Sequence, residues 1–184
     1  MKSTAVRPDV YDTRTIAFHW ITVAFVLVLW TVGQCIDFFP KGVPRISARS
    51  AHITVGACLA LLLIARIAWR MRGGVKLPPS DLGTMGKIAI GGHYLLYALL
   101  ITVIVMGMTS VWVRGDTIFN LFTVPAFDPG NKPLAEEVVD IHGLAANTLL
   151  TLAGLHAAVA IAHHRLRKDG VLRRMWPGLS KAGS

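Results

Sequence analysis

Apolar residues run almost unbroken through four windows of the chain, roughly Ile16 to Gln34, Ala51 to Met71, Ile88 to Val113 and Val138 to Ala162, with polar residues gathered between them. At 1.5 Å per residue each window reaches across about 30 Å of hydrocarbon as an α-helix, the second provided that Arg66 near its end snorkels to the surface. The pattern predicts an all-α, up-down four-helix bundle embedded in a membrane, with spans at about 16–34, 51–71, 88–113 and 138–162 and one domain over residues 1–184. The first window follows Lys2, Arg7 and Arg14 as a signal peptide would. Yet no A-x-A-like site follows it, its run is long, and His19 and Trp20 open it, so it is expected to remain as a permanent helix.

Composition agrees with the pattern. A chain that is 53% hydrophobic and only 16% charged, with a mean hydropathy of +0.54, is too apolar for a soluble domain of this size. Lys and Arg are distributed unevenly along it. The N-terminal segment, the link between spans two and three and the C-terminal tail hold fourteen of the 19, against five (Lys41, Arg45, Arg49, Arg114 and Lys132) in the two remaining links. By the positive-inside rule both termini are expected in the cytoplasm. The net charge of +9 is then explained by anchoring to anionic headgroups of the lipid bilayer, and no nucleic-acid partner is needed.

The links differ in kind. "GGVKLPPSDLGTMG" from Gly73 reads as a flexible connector, whereas Arg114 to Glu137 is long for a bundle and carries Phe119, Leu121, Phe122 and Phe127, which suggests an ordered lid or an interfacial segment. Cys35 and Cys58 form no C-x-x-C pair, and there is no C-x-x-C-H for covalent haem.

Chemistry enters with the histidines. An imidazole in hydrocarbon needs a partner, so His19, His52, His93, His142, His156 and His163 are all functional candidates. His142 and His156 are fourteen residues apart, about 21 Å along the helix and only about 40° from the same face. Depth then matches His52 with His142 at the outer level and His19 with His156 at the inner level. Two bis-histidine b-type haem sites, one above the other, are the economical reading. His93 lies at nearly the inner depth and could replace His19, and His163 shares almost the face of His156. Small residues beside the histidines, Gly56, Gly143 and Gly154 among them, leave room for a porphyrin.

The segments "FHWITV", "FFPKG", "AHITVG", "GGHYLLYALL" and "LHAAVAIAHH" together resemble the bacterial four-helix cytochrome b561 family, whose relatives include the cytochrome b subunits of formate dehydrogenase and nickel–iron hydrogenase. The resemblance covers nearly the whole chain. It implies two non-covalent haem b groups, with His19 and His156 as axial ligands of the inner iron and His52 and His142 as those of the outer iron. The compact members that this chain looks like oxidise superoxide at the outer face and pass electrons through the haems to ubiquinone.

Under that implication Lys41, Arg45, Arg49 and Arg114 would steer the superoxide anion, although the outer links taken whole carry six acids against five bases. His163, Arg14, Trp20 and His93 are the candidates for the ubiquinone site, with His163 as a proton relay. The alternative is a relay subunit working between quinone and a separate dehydrogenase or soluble redox partner. The short basic tail after Trp176 and Pro177 offers little to dock such a partner, which favours the self-sufficient enzyme.

Overall fold

The structure, a computed structural model, describes residues 10–78, 83–168 and 170–178. The anchoring residues Lys2, Arg7 and Lys181 lie outside the described residues. Four long helices form the body: α1 (Thr13–Cys35), α2 (Val43–Arg72), α3 (Thr84–Arg114) and α4 (Lys132–Ala162). Each contains its predicted window and overruns it, because capping and turn residues rather than the edge of the hydrocarbon decide where a helix stops. All four are long and apolar enough to cross a membrane, yet only 11–17% of each apolar window is buried inside the protein. In water that surface would be inside out. With lipid as the solvent it is the expected arrangement, and the chain is a multi-pass membrane protein.

α1 packs along α2 and α3 along α4, and these two pairs meet along a thinner seam. Leu59 and Leu63 of α2, Leu100 of α3 and Leu149 of α4 form the small buried core there. Across the seam the Trp30 indole of α1 donates to the Asn147 side-chain oxygen of α4 at 2.8 Å. Arg66 departs from the sequence expectation. Its side chain does not snorkel outward but turns into the bundle, over the Tyr97 ring of α3 (5.0 Å) and towards the Thr22 hydroxyl of α1 (3.4 Å).

The end of the bundle that carries the α3–α4 link, expected from the charge distribution to be the outer one and labelled so below, is closed by a small hairpin of β1 (Thr117–Ile118) and β2 (Phe122–Thr123). Gly115 terminates α3 at φ 64°, where a Cβ would lie 2.9 Å from that of Ala126. In the hairpin turn Phe119 and Asn120 both have positive φ, 49° and 56°, and the Leu121 N–H closes the turn on the Ile118 carbonyl at 2.9 Å. A phenylalanine there is strained. Ser50 of α2, fully buried, holds it by accepting from the Phe119 N–H at 2.8 Å.

The N- and C-terminal segments meet at the opposite, inner end, where the Tyr11 N–H donates to the Arg174 carbonyl. Trp20 donates to the Met175 carbonyl at 2.9 Å and stacks edge-on with Trp176, so residues 170–178 fold back over the end of α1. Asp12 caps α1 by accepting from the Thr15 N–H and hydroxyl, and it also accepts from the Trp69 indole and the Val75 N–H. Burial pushes its carboxyl up, but these four hydrogen bonds outweigh that effect and hold it well below the usual carboxylate range.

Candidate functional site

At the outer level His52 of α2 and His142 of α4 face each other across the seam, with ring centroids 6.2 Å apart and ring planes nearly perpendicular at 88°. Two glycines let them sit there. A Cβ on Gly33 of α1 would lie 3.3 Å from His52 Cε1, and one on Gly107 of α3 would lie 3.0 Å from His142 Cε1. His142 Nδ1 is 3.0 Å from the Val103 carbonyl of α3. A carbonyl only accepts, so that nitrogen carries the proton and Nε2 keeps its lone pair free. His52 Nδ1 is buried without a well-formed hydrogen bond, beside the Leu29 backbone.

Above this pair, Asp116 is held between Arg49 (3.3 Å) and Arg114 (3.1 Å) and is only 6% exposed. Arg114 lies within electrostatic reach of both His52 and His142. The two arginines, Lys132, Asp116 and Asp128 line a cleft of about 510 Å³ at the mouth of the bundle. Arg45 is engaged elsewhere: it donates to the Phe39 and Asp37 carbonyls and pairs with the Asp37 carboxylate at 3.5 Å. Lys41 is exposed in the α1–α2 link.

At the inner level the closest ring contact of His156 is with His93 of α3, at 5.1 Å and 78°. His93 Nδ1 donates to the Ala89 carbonyl one turn back (2.7 Å), again leaving Nε2 free. His19 packs edge-on against Trp20 and lies within electrostatic reach of His156, His93 and Arg66. All three histidines therefore converge, and both pairings left open by the sequence retain their candidates. Arg14 is drawn to one side over the Trp69 ring (4.6 Å). His163 opens a five-residue π-helical turn, His163–Arg167, that ends α4.

Residues 10–178 match the prokaryotic cytochrome b561 family. The chain belongs to that family. It is 28% identical over 170 residues to the probable superoxide oxidase CybB of Yersinia pestis, covering 91% of this chain and 96% of that protein. It is 29% identical over 171 residues to cytochrome b561 homolog 1 of Escherichia coli K12 (91% and 97% covered) and 29% identical over 170 residues to cytochrome b562 of Cereibacter sphaeroides (90% and 94% covered).

Members of the b561 family are membrane electron-transfer proteins that bind haem b, and the outer level of this cytochrome fits an iron between two imidazoles. Two metal–nitrogen bonds of about 2.0–2.1 Å, with half a ring on either side, span roughly 6 Å, close to the 6.2 Å between the His52 and His142 centroids. A Cβ at Gly56, Gly143 or Gly154 would meet nothing within 4 Å, and Gly154 is exposed on the outside of the bundle, about 200° round α4 from His156. Gly33 and Gly107, which touch the His52 and His142 rings, escaped the sequence reading. They lie on the neighbouring helices, and the only hint of them was a helix-weakening residue in mid-span.

Proposed function

We propose that this b561 cytochrome is a di-haem oxidoreductase of the bacterial inner membrane, with both termini in the cytoplasm, that oxidises superoxide at its outer end and reduces ubiquinone at its inner end. Two superoxide anions give up one electron each and leave as dioxygen, and ubiquinone takes up both electrons with two protons to become ubiquinol. The bound haems supply one-electron carriers between the two ends. His52 and His142 would hold the outer iron, and His19 and His156 the inner one, with His93 packed against His156.

The observation that carries this reading is the outer constellation. A cleft holding three basic residues (Arg49, Arg114, Lys132) against two acids opens at the end of the bundle nearest the facing histidines, and Arg114, which lines it, lies within electrostatic reach of both rings. A local positive excess over a low-dielectric wall focuses a small anion. Lys41, exposed in the α1–α2 link at the same end of the bundle, adds to it, and Arg45 contributes less because Asp37 accompanies it. At the inner end His163 and His93 would offer ubiquinone a proton donor and Trp20 an aromatic wall, while Arg14 is held to one side over Trp69.

One observation favours the alternative, a relay to a separate redox partner. Asp116 neutralises part of the charge of Arg49 and Arg114 and so weakens the field. Stopped-flow mixing with superoxide separates the two readings. Superoxide oxidation requires rapid haem reduction that slows severalfold as the Debye length falls from about 10 Å at 0.1 M salt to about 3 Å at 1 M, and that slows further in Lys41→Gln. Slow, salt-insensitive reduction, with turnover only when a soluble partner is added, identifies the relay instead.

A further inference from the structure

Arg66 is a fixed cation within the membrane-spanning part of α2, which is costly enough in such a place to imply a role. It follows His52 by fourteen residues, so it lies about 21 Å further along α2 and about 40° from the same face. The same spacing separates His142 from His156 on α4. α2 therefore presents a histidine to the outer level and an arginine to the inner one, where Arg66 is in electrostatic reach of His19.

Its surroundings are incomplete for a guanidinium. Of five N–H donors, one makes a long 3.4 Å bond to Thr22 Oγ1, whose own hydroxyl is committed to the Phe18 carbonyl at 2.6 Å. The Tyr97 ring covers one face of the guanidinium at 5.0 Å. Among the described residues no carboxylate lies within ion-pairing distance of it. A planar fork held by an aromatic face on one helix and a buried hydroxyl on another is pre-organised for a bidentate oxyanion.

We infer that Arg66 is the anion clamp of the inner site and pairs with a carboxylate of the cofactor bound there, orienting it between α1, α3 and α4. This rests on the reading that an inner haem level exists, and the haem-to-protein ratio of the unaltered protein checks that reading separately. A phosphate headgroup of an anionic lipid has related chemistry, and the experiment distinguishes it.

The test is a spectroscopic redox titration of purified holoprotein, as Arg66→Gln and Arg66→Lys, in nanodiscs of phosphatidylcholine alone or with phosphatidylglycerol. Loss of the cation should disfavour the reduced inner haem about tenfold, 59 mV for one electron, while the outer potential stays put. The shift should appear in both lipids, be smaller in Arg66→Lys, and be accompanied by a change in the haem carboxylate bands of the redox infrared difference spectrum. Should Arg66→Gln lose the inner haem altogether, recovery of loading in Arg66→Lys supports the clamp. Failure of both variants to load it, with the outer haem intact, makes Arg66 a packing element and overturns the inference. So does an unchanged inner potential, or a shift confined to the anionic lipid, which would assign the guanidinium to a headgroup.

Discussion

Gly107→Ala tests the outer site with one carbon atom. The added Cβ would stand 3.0 Å from His142 Cε1, and ordinary contact begins near 3.4 Å, so the ring must retreat by a few tenths of an ångström. It is not free to do so, because Nδ1 is tied to the Val103 carbonyl on the same helix that carries the new methyl group. Breaking that bond costs about 0.5–1.5 kcal/mol. Replacing a mid-helix glycine by alanine returns about 1 kcal/mol. Global stability should therefore change little, while His142 leaves the geometry that a metal ligand must keep to within about 0.5 Å.

The expected result is a chain that purifies and melts almost normally but loses outer haem, or holds it at a shifted potential, as read by the pyridine haemochrome ratio and a redox titration. Gly91→Ala, on the same helix with nothing within 4 Å of the new Cβ, should retain both haems. Full loading and unaltered potentials in Gly107→Ala would refute the reasoning, as would equal loss in the Gly91 control.

Other substitutions address separate parts of the argument. His52→Ala or His142→Ala should each abolish the outer haem spectrum and spare the inner one, and His156→Ala should do the reverse. Whichever of His19→Ala and His93→Ala removes the inner haem identifies its second ligand. Ser50→Ala takes from the Phe119 N–H the acceptor supplied by a fully buried hydroxyl, which should cost about 0.5–1.5 kcal/mol in thermal stability. Asp12→Ala removes an N-cap and should cost about 1 kcal/mol. Because the Asp12 carboxyl is held below its ordinary value, its stabilisation is present at neutral pH and is lost only as pH falls below the usual carboxylate range. The difference in melting temperature between the unaltered protein and Asp12→Asn should therefore narrow from pH 7 to pH 3 without closing, because the folded carboxyl is still ionised at pH 3.

The four spans were legible in the sequence because hydrocarbon imposes length and composition together, and few other constraints are as strict. The facing of His52 and His142 was also legible, since helix pitch converts spacing into depth. What side chains do across helices was not. The intervals fix the height of His93 and of His19 equally well, but which ring meets His156 depends on how α1 and α3 are rotated, and nothing in the local sequence encodes that. The outer hairpin was hidden for another reason: its turn is Phe119–Asn120 rather than an Asn-Gly type pair, and Ser50, 69 residues earlier, makes it possible. Arg66 was misjudged because snorkelling is the cheap solution for an arginine near a helix end, and the buried alternative needs partners from α1 and α3 that only the fold assembles.

The thin seam between the helix pairs also bears on biosynthesis. His52 belongs to the first pair and His142 to the last helix, 90 residues later in the chain. At about 5–20 residues per second a ribosome needs roughly 5–20 s to cover that interval. For that time the α1–α2 hairpin sits in the bilayer with its half of the outer site facing lipid. With His52 and His142 as the proposed ligands, a chain truncated or stalled before α4 carries only half of the outer site and cannot complete bis-histidine ligation there. On that proposal the last helix to be made is the checkpoint for loading the outer site.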